Sequence, residues 1–353
     1  MTDTIVIGAG QAGLAAAYYL QSRGVDYRVL EALPRVGDQW RRRWDGLRLF
    51  TPNRYNKLPG SDGPPGQPYG LPSALEVADY LEGYAREHGL RVTTGAEVAC
   101  LTKPAGAFAL TLRDGRRLKS RRVIVAGGAY RTARVPGFAA RLAPTLAQVH
   151  TSALRSPAAW VEEHHLRHVL VVGAGASGHQ VAKLLAPHTR VTLAGEDPGH
   201  LPRRVLGRDV YDFLYGLGVL PTRVDSLAGK VLAKAPTKGE IRVGERVDAS
   251  ARRHGIARCA KVADVSPQGL VHCVDGQRVT DVDGFVWATG YDNRYPFVEV
   301  AGALGADGKP LHTRGHSPVP GLYWMGLHLM RRVNSSLLGG VGRDACELIA
   351  EMR

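Results

Sequence analysis

The chain has 353 residues, of which 44% are hydrophobic and 22% are charged. These fractions exclude a disordered or fibrous chain, and the length allows two domains that each bury a core. Lys and Arg number 46 against 32 Asp and Glu, and the net charge of +14 indicates a polyanionic partner: nucleic acid, an anionic membrane surface or a phosphorylated small molecule.

The first 31 residues predict a βαβ unit. Thr4–Ile7 is predicted as a buried strand, Leu14–Arg23 as a helix that ends at Gly24, and Tyr27–Leu30 as a second strand closed by Glu31.

The turn inside this unit carries a dinucleotide fingerprint, in which the glycines Gly8, Gly10 and Gly13 are followed 18 residues later by Glu31. The first glycine allows the tight turn, the second lets the backbone approach a pyrophosphate, and the third lets helix and strand pack closely. The helix N-terminus offers N–H groups to the pyrophosphate, and the Glu31 carboxylate would accept from ribose hydroxyls.

The middle of the chain predicts a loop, a helix and several strands. Pro59–Pro72 is rich in Pro and Gly, and Ser73 begins an amphipathic helix that runs to about His88 with capping-box spacing. Strands are predicted at Arg91–Leu101, Phe108–Leu112 and Leu118–Val125, and a polar bridge at Pro157–His165.

The fingerprint recurs 165 residues downstream, at Gly173, Gly175 and Gly178. It follows a predicted strand at His168–Val172 and precedes a helix from His179 to about Ala186 and a strand at Arg190–Leu193. An enzyme that binds two dinucleotides usually passes hydride from a nicotinamide to a flavin. The two units therefore indicate a flavoprotein with two dinucleotide sites.

The C-terminal part predicts an apolar strand at Val282–Ala288, a short strand after Gly321, a turn at Gly339-Gly340 and a helix from about Gly342. The fold class expected is α/β, with two nested Rossmann-like domains. Residues 1–155 and 286–353 would form the FAD-binding domain, and residues 156–285 the NADPH-binding domain.

Several motifs together resemble the bacterial branch of the flavin-containing monooxygenase-like flavoproteins over nearly the whole chain. They are Gly37-Asp38-Gln39-Trp40-Arg41, the stretch from Trp44 to Pro52, Gln148-x-His150-Thr151, Trp287-Ala288-Thr289-Gly290-Tyr291 and the stretch from Ser335 to Ala345. Three positions depart from the family pattern: Asp38 and Leu146 replace glycines, and Gly127 replaces a threonine.

The resemblance implies a set of cofactor-binding residues and three catalytic candidates. The cofactor-binding set is Gly8, Gly10, Gln11, Ala12, Gly13, Glu31, Gln39, Trp40, Arg41, Leu49, Thr51, Gly173, Gly175, Ala176, Ser177, Gly178, Arg203, Arg204, Thr289, Gly290, Leu338 and Gly339. The candidates are His150, which would lie at the contact between flavin and nicotinamide or else be a surface histidine, and Asn334 and Ser335, which would face the flavin or substrate or else cap the last helix.

The preference for NADPH is predicted from Arg203 and Arg204, which resemble the family's phosphate-reading pair. Glu196 and Asp197 stand where relatives usually carry a basic residue, and an acid there favours NADH. A solvated basic turn is the other interpretation of the two arginines.

The resemblance implies a monooxygenase that uses FAD, NADPH and O2, through a C4a-hydroperoxyflavin, to oxygenate a small molecule at N or S or in a Baeyer–Villiger reaction. The alternatives are a reductase or oxidase that passes electrons to a quinone, a disulfide, a metal or another electron acceptor, and a redox-sensing module without catalysis. The substrate pocket is expected from Pro59–Pro72, Tyr211–Gly218 and Leu327–Asn334.

Other partners and sites are not expected from the sequence. No nucleic acid, membrane or metal site is predicted, and the cysteines lack the spacing of a dithiol pair. We expect a cytoplasmic location because no signal peptide is readable, and a homodimer is possible.

Overall fold

A computed structural model describes residues 1–128, 130, 132–234 and 242–352. Residues 235–241 of the predicted NADPH domain and residue 353 of the predicted FAD domain lie outside the described residues. The helices, in chain order, are α1 (Gln11–Ser22), α2 (Asp38–Arg41), α3 (Ala74–Glu87), α4 (Pro157–Glu163), α5 (Ala176–Leu185), α6 (Val210–Gly216), α7 (Leu227–Lys234), α8 (Val247–Arg253) and α9 (Val341–Glu351).

The strands are short and spread along the whole chain. In chain order they are β1 (Thr2–Ile7), β2 (Tyr27–Leu30), β3 (Val92–Thr93), β4 (Val98–Thr102), β5 (Phe108–Leu112), β6 (Arg117–Val125), β7 (Thr132–Ala133), β8 (Ala147–His150), β9 (His168–Val172), β10 (Arg190–Ala194), β11 (His200–Leu201), β12 (Arg204–Val205), β13 (Arg208–Asp209), β14 (Arg242–Val243), β15 (Ala257–Cys259), β16 (Val262–Val265), β17 (Val271–Cys273), β18 (Arg278–Val279), β19 (Gly284–Trp287), β20 (Tyr291–Asp292) and β21 (Leu322–Trp324).

The first sheet has the order β3-β2-β1-β6-β5-β4, and β21 also pairs with β6. Its centre is parallel: β1 lies between β2 and β6 and pairs with both in parallel. Ile5, Val6 and Ile7 are all buried, as expected for a parallel strand that is covered on both faces. The alanine-rich α1 covers one face and contacts α9, so the two ends of the chain meet over this sheet.

The second sheet is parallel throughout, with the order β15-β10-β9-β19-β8. It takes in β8, which precedes the predicted boundary at residue 155, because Trp287 of β19 pairs with His150 of β8. α5 packs against β9 and β10. Trp44, from the first part of the chain, is buried in the core of this second sheet, so the two sheets are joined by side-chain packing as well as by chain crossings.

The predicted α/β class is confirmed, and the differences are local. The predicted strand Arg91–Leu101 is two strands, β3 and β4, because Gly95 turns the chain between them with a φ of +61°. The predicted polar bridge Pro157–His165 contains the helix α4, which the Ser156 hydroxyl caps by accepting from the backbone of Ala159.

Among the described residues, no helix combines the length and the apolar character that crossing a bilayer requires.

Candidate active site

The first glycine turn joins β1 to α1 and gives each of its three glycines a different environment. Gly8 has a φ of +103°, and a Cβ there would lie 2.7 Å from the carbonyl oxygen of Ala126. A Cβ on Gly13 would lie 1.8 Å from the carbonyl oxygen of Gly8. A Cβ on Gly10 would meet nothing within 4 Å, so Gly10 borders open space that a ligand can fill.

The helix that follows has no side-chain cap. Gln11 and Ala12 begin α1, and the N-cap residue Gly10 offers no acceptor for their N–H groups. By contrast, a capping box between Ser73 and Glu76 pairs the backbone N–H groups at the N-terminus of α3. Unpaired N–H groups and the positive end of the helix dipole favour an anion, so this turn fits a pyrophosphate.

Glu31 lies at the end of β2 with its carboxylate beside the same turn. Its Oε2 accepts from the backbone N–H of Ala9 at 2.7 Å, and its Oε1 accepts from that of Leu33 at 3.0 Å. Because a carboxylate has about four acceptor positions, both oxygens can still accept from ribose hydroxyls.

The second glycine turn repeats this geometry between β9 and α5. A Cβ on Gly173 would lie 2.4 Å from the carbonyl oxygen of Ala288, and one on Gly178 would lie 1.8 Å from that of Gly173. A Cβ on Gly175 would meet nothing within 4 Å. Ala176 and Ser177 begin α5, which also has no side-chain cap. The chain therefore has two turns that each fit the pyrophosphate of a dinucleotide.

Arg41, predicted to bind a cofactor, is tied to α3 by its side chain. Its Nη2 lies 2.8 Å from the carboxylates of both Asp79 and Glu82, and its Nη1 lies 3.1 Å from Asp38. Asp38 therefore replaces the family's glycine with an ion-pair partner for Arg41. The guanidinium holds the loop in place and is not directed to a ligand.

The other predicted cofactor-binding residues of the segment from Gly37 to Pro52, here called the flavin loop, differ in exposure. Gln39 is exposed, whereas Trp40 and Leu49 are half-buried and pack against the core of the first sheet. Thr51 is buried, and its carbonyl oxygen accepts from the side-chain amide of Asn56 at 2.8 Å.

His150 is a buried histidine, so the interpretation as a surface residue is wrong. Its Nδ1 accepts from the backbone N–H of Ser152 at 3.1 Å, so Nε2 carries the proton and donates to the carbonyl oxygen of Gly290 at 3.0 Å. Burial lowers the pKa of His150, and the charge of Arg43 lowers it further. The imidazole is thus a neutral link between β8 and the segment after β19.

Thr289 and Gly290 lie where the chain leaves the second sheet. The Thr289 hydroxyl donates to the carbonyl oxygen of Arg134, and the Arg134 backbone N–H donates to the carbonyl oxygen of Gly290 at 3.0 Å. The next two residues form β20, which pairs with β7. β7 lies in the segment where the chain passes from the first sheet to the second, and β20 lies in the segment where it returns. Their pairing therefore holds the two connecting segments together.

The predicted phosphate-reading pair is not equivalent in the structure. Arg203 forms an ion pair with Asp209 at 2.7 Å and donates to the carbonyl oxygen of Phe50 at 2.6 Å, which ties the second unit to the flavin loop. Arg204 is exposed, and among the described residues its guanidinium makes a single, long hydrogen bond, of 3.4 Å, to the carbonyl oxygen of Gly207. Arg204 is the member of the pair that has donors to spare.

Arg258 is a residue that the sequence reasoning missed. It lies opposite Leu193 in the parallel pairing of β15 with β10, and its guanidinium donates to the carbonyl oxygens of Leu193 and Gly195 at 2.7 Å each. A basic group therefore stands at the end of β10, where the acids Glu196 and Asp197 led us to expect none. No pattern in the sequence marks it, because its position depends on the pairing of β15 with β10.

Ser335 does not face a ligand. It is fully buried, and its Oγ accepts from the backbone N–H groups of Arg331 and Arg332 at 3.0 and 2.8 Å. It also does not cap the last helix, whose N-cap residue is Gly340. Ser335 therefore stabilises the turn that leads to α9, and both interpretations of its hydroxyl are wrong.

An ion-pair network holds this turn against α9. The buried Arg331 lies 3.2 Å from Glu347 and 2.6 Å from Glu351, and Arg332 lies 2.6 Å from the buried Asp344. The hydrogen bond from Arg331 is the main cause that lowers the pKa of Glu351 to about 2. The position of the C-terminal segment is thereby fixed by charge.

The segment in front of α9 lies between the first glycine turn and a cavity. The Gln11 side chain donates to the carbonyl oxygen of Ser336 at 3.3 Å, and Leu338 is buried. A Cβ on Gly339 would lie 1.8 Å from the carbonyl oxygen of Tyr55, so only glycine allows this contact. The cavity, of about 520 Å³, begins on the other side of Gly339.

The cavity brings together two of the three regions expected to form a substrate pocket. Asp212 and Tyr215 of α6 and the buried Asn334 line it, but Pro59–Pro72 does not; Arg54 and Tyr55, just before that loop, take its place. The rings of Tyr55 and Tyr215 are parallel and 4.3 Å apart. The volume is that of a small-molecule site.

Comparison with known proteins agrees with this geometry. Residues 5–204 match the family described as pyridine nucleotide-disulphide oxidoreductase. A CzcO-like oxidoreductase of Geobacillus kaustophilus is 33% identical over 100% of this chain and 98% of its own. An indole-3-pyruvate monooxygenase of Oryza sativa, YUCCA1, is 34% identical over 60% of this chain and 52% of its own. A solved flavin-containing monooxygenase from Stenotrophomonas maltophilia superposes with a TM-score of 0.79, at 26% identity over 100% of this chain and 98% of its own.

Two sheets with parallel strands at their centres, each with an open glycine turn against an uncapped helix, define a flavin-dependent oxidoreductase with two dinucleotide sites. FAD and NAD(P) are the cofactors of such enzymes. The chain belongs to the pyridine nucleotide-disulphide oxidoreductase family.

Proposed function

We propose that this oxidoreductase is a monooxygenase that uses FAD, NADPH and O2 to oxygenate a small molecule. The observation that carries the proposal is the pair of open glycine turns, because two dinucleotides in one chain supply both a hydride donor and a flavin. The likeness to the Stenotrophomonas monooxygenase over the full chain supports oxygenation, as does the partial likeness to the rice enzyme.

FAD would occupy the first turn. The N–H groups of Gln11 and Ala12 face the pyrophosphate, the open side of Gly10 lets it approach, and Glu31 accepts from the ribose. Leu338 and Gly339 would bound the flavin ring at the segment that Gln11 ties to this turn. The bound flavin supplies hydride acceptance and oxygen activation, and the protein's part is to orient it and exclude water.

NADPH would occupy the second turn, with its pyrophosphate at the N-terminus of α5. We assign recognition of its 2′-phosphate to Arg204, because Arg204 is exposed and has donors to spare. Arg258 would position the end of β10, since its guanidinium is held by Asp248 at 3.1 Å and by the carbonyl oxygens of Leu193 and Gly195. Arg203 would act indirectly, since its guanidinium is held by Asp209 and Phe50. The division into an FAD domain (1–155 and 286–353) and an NADPH domain (156–285) belongs to this proposal, with β8 contributed to the second sheet.

The substrate would occupy the cavity behind Gly339. Asn334, of the three catalytic candidates, is the one that lines it, together with Asp212 and Tyr215. His150 and Ser335 are held by backbone groups and have positioning roles.

Isotope labelling tests the proposal. The FAD-loaded protein is given NADPH, ¹⁸O2 and panels of sulfides, amines and ketones, and the products are analysed by mass spectrometry. Oxygenation predicts one labelled atom per product and one NADPH consumed. NADPH consumption that reduces a quinone or a metal ion, with no label in any organic product, would instead establish the reductase.

The assignment of Arg204 has its own control. Arg204→Gln is expected to raise the KM for NADPH about tenfold or more and to leave that for NADH unchanged, because it removes a charged hydrogen bond to the 2′-phosphate. Arg190→Gln, at the other end of β10, is the matched control and should change neither. Equal effects on the two nucleotides would refute the assignment.

A further inference from the structure

The cavity behind Gly339 carries an excess of positive charge. Three guanidinium groups, those of Arg54, Arg208 and Arg343, line it together with a single carboxylate, that of Asp212. A cavity lined by one sign of charge concentrates ligands of the opposite sign.

The carboxylate of Asp212 already has its partners. It accepts from the hydroxyl of Tyr55 at 2.5 Å and from that of Tyr69 at 3.1 Å, and it lies 3.7 Å from Arg54. The hydrogen bond from Tyr55 is the main cause that lowers the pKa of Asp212, so this group stays ionised at neutral pH. Arg54 is also held over the rings of Tyr55 and Tyr69.

The two remaining arginines are not held in this way, although the charge of Arg208 contributes to the lowered pKa of Asp212. Within the described part of the chain, neither Arg208 nor Arg343 forms an ion pair or a side-chain hydrogen bond, although most arginines of this protein form at least one. Arg343 lies in the first turn of α9, where the helix dipole makes a positive charge unfavourable. Helix stability therefore does not explain its place, whereas a bound anion would.

One acceptor of the inner wall lacks a hydrogen-bond partner. Asn334 is only 3% exposed, and although its side chain interacts with the Tyr215 hydroxyl, its Oδ1 accepts from none of the described residues. Buried polar atoms are normally paired, so an orphan acceptor in the wall of a cavity points to a ligand that completes it.

We propose that the substrate is a small organic anion, a carboxylate whose charged end is bound by Arg208 and Arg343. Its other end reaches Asn334 and Gly339, next to the segment that bounds the first dinucleotide turn. The inference rests on the proposed function, since it names the class of molecule that would be oxygenated there. The 2′-phosphate of NADPH is the competing source of negative charge.

The test compares a carboxylate with its neutral isostere. Calorimetry on the FAD-loaded protein measures the binding of (phenylthio)acetate and of (phenylthio)acetamide, which differ only in the charged group. The acid is expected to bind about tenfold or more tightly than the amide, because its oxygens accept charge-assisted hydrogen bonds. Equal binding of the two would overturn the proposal.

Variants locate the site. Arg208→Gln and Arg343→Gln are each expected to weaken binding of the acid and not of the amide; both side chains are exposed, so the fold should persist. Arg117→Gln, an exposed arginine at the start of β6 that does not line the cavity, should change neither. Unchanged affinity for the acid in both variants would contradict the assignment.

A third arm separates substrate from cofactor. Saturating NADP⁺ should leave the affinity for the acid unchanged. If NADP⁺ displaced the acid, Arg208 and Arg343 would bind the nucleotide, and the proposal would be overturned. Formation of the sulfoxide, with NADPH and O2 consumed and water released, is scored separately. Tight, arginine-dependent binding of the acid without sulfoxide formation would therefore refute the proposed monooxygenase activity and support the proposed anion site.

Discussion

The second and third glycines of the first turn allow structure and cofactor binding to be perturbed separately. A Cβ on Gly13 would lie 1.8 Å from the main-chain oxygen of Gly8, whereas ordinary contact begins at 3.4 Å. Overpacking costs about 1–3 kcal/mol, and the upper end applies here because a main-chain oxygen cannot rotate away. Gly13→Ala should therefore lower the free energy of unfolding by about 3 kcal/mol even without FAD.

Gly10→Ala should behave in the opposite way. Gly10 has a φ of −76° and a ψ of −175°, which alanine adopts freely, so the substitution should leave the FAD-free protein as stable or raise its stability by about 0.4–1 kcal/mol. Its methyl group would, however, enter the space of the pyrophosphate. FAD affinity is expected to fall at least about tenfold, or 1.4 kcal/mol.

Denaturant unfolding of the FAD-free variants and fluorescence titration with FAD measure the two quantities. Gly175→Ala and Gly178→Ala repeat the experiment in the second turn, with NADP⁺ as the ligand. The reasoning is refuted if Gly10→Ala destabilises the FAD-free protein as much as Gly13→Ala does, or if it binds FAD like the unchanged protein.

Three further predictions concern single side chains. The folded state holds the pKa of Glu351 at about 2 against an ordinary 4.5, so its contribution to stability is present above pH 4.5 and is lost as the pH falls toward 2. Glu351→Gln should therefore reduce the change of the denaturation midpoint with pH over that range. An unchanged pH dependence would contradict the ion pair. Burial raises the pKa of the Cys259 thiol to about 12, so iodoacetamide should label it at neutral pH only after unfolding, and rapid labelling of the native protein would disprove this. His150→Leu should cost about 1–3 kcal/mol of stability, because it leaves buried polar groups unpaired, and should not move the pH profile of turnover; a shifted profile would make His150 an acid–base catalyst.

Local patterns were sufficient for the elements that position the cofactors. The first and third glycines of each fingerprint contact atoms within a few residues or at the end of the adjacent strand, so spacing alone predicted their packing roles. The capping box at Ser73 is local in the same way, and the structure has both of its hydrogen bonds.

Side-chain roles that depend on distant partners could not be predicted. Arg41 and Arg203 match family motifs, but their guanidinium groups are held by residues that the sequence does not place beside them. Arg258 reaches the end of β10 only because β15 pairs with that strand. Ser335 stands in a motif, yet the backbone of its own turn takes up its hydroxyl.

Only part of the cavity lining was predicted, because the rest depends on contacts between residues that are distant in the sequence. The sequence indicated α6 and Asn334, which follow recognisable elements, and named the Pro- and Gly-rich loop because it is irregular. The structure places Arg54 and Tyr55 there instead, since the contact between Tyr55 and Gly339 brings them against α9.

The most direct test of the two-dinucleotide mechanism is anaerobic reduction of the bound flavin, followed by absorbance after rapid mixing with NADPH or NADH. The account predicts a protein that binds FAD and whose flavin is bleached by NADPH faster than by NADH, with the rate lost in Gly175→Ala. A protein that binds no FAD, or a bound flavin that neither nucleotide reduces, would contradict it.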